Sequence, residues 1–385
     1  MLKSLELTNL LSFGAEGVAL DLGPLNVLIG PNGSGKSNII EAIGLLQSAP
    51  RDLALPVREG GGIRDWLWKG AGNTTATIEA VIDYPAGKMR IRYKLSFAET
   101  AQRIEVVDER IENERPYPGH VEPYLYYGYE HGRPVLNVMD KRRELRREDI
   151  DLQQSVLSQR KDPDQYPEVT YIGRLFSSIR IFREWNFGRY TAPRIPQPSD
   201  LPNDFLSEDG RNLGLVLNNL RQDATVKAEV LDHLRMLYDR ARDVDVSIRG
   251  GTVQVFIQED GWTIPATRLS DGTLRWLCLL SVLLHPAPPK IVCIEEPEMG
   301  LHPDLLPTVA RLLRTASSRM QLVVATHSDG LVDALSDTPE SVLVCEKVDG
   351  STSLKRLESA GLAKWLEKYT LGQLWRSGEI GGNRW

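Results

Sequence analysis

The residues best suited to do chemistry form one glycine-rich run, Gly30-Pro31-Asn32-Gly33-Ser34-Gly35-Lys36-Ser37, followed by Asn38. It fits G-x-x-x-x-G-K-[ST], the spacing that curls successive backbone N–H groups around a chain of phosphates. The apolar strand LNVLI precedes it. The run after it, with Ile39, Ile40, Ile43 and Leu46 at helical spacing, adds the positive end of a helix dipole. Lys36 is placed to reach the β- and γ-phosphates of a nucleoside triphosphate such as ATP, and Ser37 to ligate the accompanying Mg2+. A plain glycine turn with a surface lysine is the alternative, and the strand and helix on either side argue against it.

A second chemical group lies far along the chain. KIVCIEEPE is an apolar strand that ends in Glu295 and Glu296. Carboxylates at the carboxyl end of a parallel strand emerge where such sheets bind ligands. Glu295 is the expected metal ligand. Glu296, leaving the strand in the other direction, is the candidate that aligns or deprotonates an attacking water. A solvated acidic turn is the competing reading when this segment is taken alone.

The elements that must position these groups read as strands at Leu2 to Leu7, Leu25 to Ile29, Thr75 to Ile82, Met89 to Leu95, Val253 to Ile257, Ile291 to Ile294, Leu322 to Ala325 and Val342 to Cys345. Helices are expected after Ser270 and after His302-Pro303, and strands alternating with helices imply a largely parallel sheet. Between about 99 and 250 the chain is more polar and rich in Arg, Tyr and Pro, which excludes a long coiled coil. Leu145 to Arg160, Asp204 to Arg221 and Ala224 to Ala241 look helical there, so a compact helical lobe is expected.

A chain of 385 residues can build two lobes, and 41% hydrophobic with 25% charged residues is ordinary globular composition. The net charge of -6 leaves any grip on nucleic acid to a local patch. Cys278, Cys293 and Cys345 sit in separate apolar runs with neither zinc spacing nor a C-x-x-C pair. That suits buried thiols in a reducing compartment, the cytoplasm. No apolar run is long enough to span a bilayer, and the N-terminus lacks a signal layout, so no membrane association is expected.

Two more motifs narrow the reading. Leu269-Ser270-Asp271-Gly272-Thr273 resembles the LSGGQ-like signature of ABC-type ATPases, and Thr326-His327-Ser328 resembles their switch histidine. Their order is that of ABC proteins, with Ser270 26 residues before Glu296 (296 minus 270) and His327 31 after it (327 minus 296). With the opening TNLLSFG and the run IEEPEMGLHP, the chain resembles the SMC/RecF-like branch of ABC-type ATPases, specifically stand-alone bacterial AAA-family or RecF-like ATPases, often in defence loci. The resemblance implies an α/β fold: a P-loop NTPase, the ABC-type ATPase head with an inserted mainly helical lobe. The expected division is 1–98 for the first part of the head with its phosphate loop, 99–250 for the lobe, 251–348 for the second part with signature, acidic strand and histidine, and 349–385 for a tail.

The resemblance further implies a homodimer closing head to head around ATP and Mg2+, with a higher oligomer as the alternative. Each nucleotide would be clamped by the phosphate loop of one copy and Ser270 and Gly272 of the other, with His327 contacting the γ-phosphate and Lys36, Glu296 and His327 as the catalytic set. It also implies a separately encoded effector protein, in phage defence. The family usually has Asp where Glu295 stands, and its magnesium-sensing glutamine has no assigned position here. Phe13 is a candidate to lie against the nucleoside, with a core or turn role as the alternative.

Between Arg174 and Arg194, five arginines interleave with Phe176, Phe182, Trp185, Phe187 and Tyr190. The pattern suits nucleic acid, as in a RecF-like DNA-repair ATPase, and equally an internal arginine-rich interface, which the acidic total favours. KRRELRRED (Lys141 to Asp149) reads as a solvated helix face. Trp365, Trp375 and Trp385 suggest a tail docked on something apolar.

Overall fold

The computed structural model describes residues 1–70, 75–130, 133–138, 141–144, 151–183 and 185–382. They fall into two compact units. The first is Met1–Ile179 with Leu343–Arg356 and Gly381–Trp385; the second is Arg180–Val342 with Leu357–Ile380.

The first unit begins with β1 (Leu2–Thr8), β2 (Val18–Asp21), β3 (Leu25–Ile29) and the helix α1 (Lys36–Ser48). Every residue of β3 is buried, and α1 buries Ile39, Ile40, Ile43 and Leu46 completely. Each such side chain contributes about 1.5–3 kcal/mol, which anchors the loop between them at both ends. Two short helices, α2 (Ala54–Glu59) and α3 (Ile63–Trp66), precede β4 (Ala76–Ile82), β5 (Ile91–Thr100) and β6 (Arg103–Asn113). The meander continues through β7 (Leu125–Glu130), β8 (Arg133–Val138) and β9 (Lys141–Glu144), and then the helices α4 (Val156–Gln159) and α5 (Pro167–Ser177) follow.

The strands form an eight-stranded sheet in the order β2-β1-β4-β5-β6-β7-β8-β9, antiparallel at each pairing. This corrects the expectation that the strands near 75–82 and 89–95 join a parallel sheet. In β4, Ala76, Ile78, Ala80 and Ile82 are buried while the residues between them are half-exposed. That alternation belongs to a sheet with one wet face, whereas parallel strands covered on both sides read as continuous apolar runs.

The boundary expected at residue 98 is likewise absent, because β5 runs through it and β6 to β9 extend the sheet into the interval read as mainly helical. The charged outer face of β6 disguised it. Lys141–Glu144 is strand rather than helix face, residues 145–150 lie outside the described residues, and the helix read over Leu145 to Arg160 is limited in the described part to α4.

The second unit opens with β10 (Arg180–Phe182) and the two-residue β11 (Gln197–Pro198), followed by α6 (Leu213–Leu220) and α7 (Ala224–Leu237). Asp204 to Asn212 is loop rather than helix. There the Asn212 amide donates to the carbonyls of Pro202 and Phe205 and accepts from Ser207 N, so its side chain satisfies the backbone that a helix would have satisfied. Then come the antiparallel strands β12 (Asp243–Arg249), β13 (Thr252–Glu259) and β14 (Trp262–Pro265). The long apolar helix α8 (Asp271–Leu283) leads to β15 (Ile291–Glu295), α9 (Leu306–Ser317), β16 (Gln321–Ala325) and the short α10 (Asp329–Asp333). Here β10, β15 and β16 are parallel, as expected for this half, with β15 and β16 buried almost throughout.

The chain returns to the first unit with the antiparallel hairpin β17 (Val342–Val348) and β18 (Ser351–Arg356), in which β17 neighbours β3. The last helices, α11 (Ser359–Leu366) and α12 (Leu371–Ser377), belong to the second unit. Trp375 is buried there and Trp365 is exposed; Trp385 lies outside the described residues.

Candidate functional site

The phosphate loop is held from behind by the first unit's own backbone. Gly30 has φ 144°, and a Cβ there would lie 2.2 Å from the Cys345 carbonyl oxygen on β17. Gly35, at φ 101°, would drive a Cβ to 2.2 Å from Thr352 Oγ1 on β18. Only glycine serves at either position. Thr352 Oγ1 donates to the Ser34 carbonyl at 2.9 Å and shares a hydrogen bond with the Ser12 hydroxyl at 2.7 Å, and Asn38 Nδ2 donates to Ser12 Oγ at 2.7 Å.

Lys36 is buried, and its Nζ bridges the Gly30 and Pro31 carbonyls at 2.8 and 2.9 Å, folded across the mouth of the loop. Ser34 Oγ is buried without a hydrogen bond among the described residues. Asn32, Gly33 and Ser37 are exposed and Pro31 half-exposed. Helix α1 starts at Gly35 with no side-chain cap, so its first N–H groups are open to an anion. Phosphates fit this cradle.

The acidic strand end belongs to the second unit. Glu295 closes β15, and its Oε1 lies 3.4 Å from Arg183 Nε. Glu296 takes φ 46°, a left-handed conformation that costs a non-glycine residue about 1–3 kcal/mol and turns its side chain off the strand line. Three bonds hold it: its N–H donates to the Ala325 carbonyl (2.8 Å), while its own carbonyl accepts from Met299 N (3.0 Å) and Arg275 Nη1 (3.5 Å). Arg275 lies over the rings of Phe187 and Trp185, 5.4 and 5.8 Å from their centroids, and burial lowers its pKa.

Glu298 is a residue the sequence reading passed over. Its Oε1 accepts from Thr326 Oγ1 (2.6 Å) and His327 N (3.3 Å), tying the acidic loop to the histidine segment, and burial raises its pKa. His327 is half-exposed and directly precedes Ser328, the N-cap of α10.

Ser270 caps α8, accepting from Thr273 N at 3.0 Å, as the sequence pattern suggests. Gly272 packs so closely that a Cβ would meet the Gly300 carbonyl oxygen at 2.7 Å. The loop before the helix is braced by Arg194, which is buried. Its guanidinium donates to the carbonyls of Phe187, Ala266 and Leu269 and pairs with the Asp271 carboxylate. Arg183 and Arg194 therefore serve internal contacts. Arg174 is exposed, and so is Arg189, which stacks on the exposed Tyr190. All three cysteines are buried free thiols, with Cys345 pushed up to about 12 by burial.

A family model described as "AAA domain, putative AbiEii toxin, Type IV TA system" matches residues 25–333, from the strand before the phosphate loop to the helix after His327. The chain belongs to this AAA family. Among solved structures, the Smc head bound to the C-winged helix domain of ScpA matches with a TM-score of 0.62 at 14% identity, covering 94% of this chain and 99% of that one. The Pyrococcus furiosus Smc head with an extended coiled coil, bound to the C-terminal domain of ScpA, matches at 0.58 and 13% identity, covering 95% and 98%. No curated protein sequence matches. This member of the AAA family therefore has the fold of the SMC-head, ABC-type P-loop ATPases. Among its described residues no helix is long and apolar enough to cross a membrane, and no group of three or more His, Cys, Asp or Glu could hold a metal ion.

Proposed function

We propose that the chain binds ATP with Mg2+ and hydrolyses it to ADP and phosphate, closing head to head with a second copy as it does so. The observation that carries the reading is the cradle itself: two glycines that backbone and Thr352 leave no room to replace, an uncapped helix start and the buried Lys36 as the first residue of that helix. Ser37 and Glu295 supply hard oxygen donors, which suit Mg2+, an ion that keeps most of its shell as water and phosphate oxygen. Bound there, it would neutralise charge on the phosphates.

The rest is the work of this chain's own residues. Lys36 exchanges the Gly30 and Pro31 carbonyls for phosphate oxygens. Glu296 orients a water and accepts its proton as the water's oxygen bonds to the γ-phosphorus and the bond to the bridging oxygen breaks. Ser270 and the start of α8 present a second anion-binding end, which in this reading meets the nucleotide of the other copy beside Gly272. His327 contacts the γ-phosphate. The nucleotide-driven closure would control a separately encoded effector, in bacterial phage defence, a role that rests on the family resemblance and the order of motifs.

The test is Glu296→Gln, which keeps the left-handed turn and its backbone bonds while removing the base. Phosphate release should fall at least a hundredfold, and light scattering should show a persistent ATP-dependent dimer. Unchanged turnover would remove Glu296 from the mechanism. For direct DNA binding in the manner of a RecF-like repair ATPase, the supporting observation is the exposed Arg174 and the exposed Arg189–Tyr190 pair. Charge removal at Arg174 and Arg189 should then weaken binding and flatten its salt dependence.

A further inference from the structure

Arg275 is a buried arginine to which the reaction set out above gives no part. It stands on α8, the helix that Ser270 caps. Burial works against its charge, while the carboxylates of Glu296, Glu298 and Asp271 favour it. A guanidinium keeps its proton inside a protein, so the fold carries a permanent positive charge at this point. Such a charge is costly to bury unless its surroundings compensate, and its contacts show what it is held for.

One set of contacts fixes the guanidinium. Its carbon lies 5.4 Å from the Phe187 ring centroid and 5.8 Å from that of Trp185, and Nη2 donates to the Trp185 carbonyl at 3.1 Å. The two rings pack edge to face with centroids 6.3 Å apart, and the Phe187 carbonyl accepts from the buried Arg194. A planar cation stacks on rings and points its donors in fixed directions, which a lysine ammonium does not reproduce.

The other set reaches the turn that carries Glu296. Nη1 donates to the Glu296 carbonyl at 3.5 Å, Nη2 lies 3.7 Å from Met299 Sδ, and a Cβ on Gly300 would lie 4.0 Å from Nε. Met299 N closes the turn on the same Glu296 carbonyl at 3.0 Å. Earlier on α8, Gly272 packs against the Gly300 carbonyl oxygen, so the start of the helix and the turn touch at both ends of the turn. All of these residues belong to the second unit.

Glu296, at φ 46°, holds a conformation that persists only where its surroundings over-determine it. Two of its restraints are backbone bonds; Arg275 supplies the side-chain one. We propose that Arg275 is a positioning residue for Glu296: fixed on Trp185 and Phe187, it holds the left-handed turn so that the Glu296 carboxylate keeps its aim at the attacking water. Arg275 acts through Glu296 and not on the nucleotide. The inference rests on the assignment of Glu296 as the base and adds the group that keeps the base in place.

Arg275→Met keeps the apolar stem and removes the charge and the donors. Single-turnover phosphate release by the full chain should fall by about tenfold or more, while ATP affinity by calorimetry stays within about twofold. Arg275→Lys keeps the charge without the planar fork and should recover part of the loss. In the Glu296→Gln chain, where the base is already gone, Arg275→Met should change the residual rate by less than about twofold. At one fixed pH, hydrogen exchange at the Glu296 and Met299 amides should quicken in Arg275→Met, with the Cys293 amide on β15 unchanged.

Wild-type turnover in Arg275→Met, or the same tenfold loss on top of Glu296→Gln, would overturn the proposal. So would equal losses of rate and affinity with exchange quickened throughout the second unit, the marks of a general loosening of the fold. If Glu296→Gln abolishes turnover and Arg275→Met leaves it intact, the base stands and only the positioning role falls. A wild-type chain that releases no phosphate, or a Glu296→Gln chain with full turnover, removes the base assignment and the positioning role with it.

Discussion

Glu109 offers a test of the first unit that is independent of nucleotide. It is fully buried on β6. Its Oε1 accepts from Tyr93 Oη at 2.7 Å and from the Ser155 hydroxyl, and its Oε2 accepts from Val156 N at 2.8 Å. These bonds pin the start of α4 to the sheet, yet burial outweighs them and raises the carboxyl pKa from 4.5 to about 7. The folded chain therefore holds a proton that the unfolded chain gives up. The stability this contributes is fully present below pH 4.5 and is lost as pH rises through about 7.

For a single group with those two values, the loss between pH 5 and pH 8 integrates to about 2.5 kcal/mol. Glu109→Gln removes the titration while keeping an acceptor for Tyr93 and Ser155. Urea denaturation of both proteins at several pH values should give curves that converge or cross, the wild type losing about 2.5 kcal/mol relative to the variant over that span. Relative to the base-catalysed intrinsic rate, which rises with pH in both proteins, protection of the Val156 amide against hydrogen exchange should fall over the same range in the wild type alone. Parallel stability curves would refute the assignment of a buried, proton-holding carboxyl at this position.

Other perturbations follow from the second unit and the loop. Arg194→Leu removes the donor to three carbonyls and the partner of Asp271. Because Asp271 is largely exposed and can rehydrate, the cost is set by the carbonyls, about 3 kcal/mol in urea denaturation, with Arg194→Lys intermediate; a change below about 1 kcal/mol would contradict the brace. Gly30→Ala must displace the Cys345 carbonyl or the loop, so nucleotide affinity by calorimetry should fall at least tenfold, and an unchanged value would mean the loop is not seated as described. Glu298→Gln keeps an acceptor for Thr326 and His327 N and should alter stability little, whereas Glu298→Leu strands both donors and should cost about 2 kcal/mol in the same denaturation experiment.

What could be read along the chain depended on how far apart the cooperating residues lie. The phosphate loop, α1 and the Ser270 cap are local patterns, in which neighbouring residues carry the geometry, and the structure reproduces them at Gly30 to Ser48 and Ser270 to Leu283. The antiparallel sheet was obscured because β6 shows solvent a charged face and hides Ile104, Val106 and Ile111 on the other. Arg194 looks like any arginine until carbonyls 72 and 75 residues away arrive around it. Phe13, the aromatic singled out in the sequence, is completely buried. Glu298 did carry a signal, a third acid in IEEPE, but its partners Thr326 and His327 are on another segment.

The β17–β18 hairpin also sets a schedule for biosynthesis. Thr352, which braces Ser34, is 316 residues downstream of Lys36 (352 minus 36). At ~5–20 residues per second, the ribosome needs on the order of 15 to 60 seconds after making the lysine before the brace exists. Through that interval β3 lacks β17, its neighbour within the first unit. A fragment ending before Leu343 would carry the complete glycine-rich motif and still lack the walls that shape it.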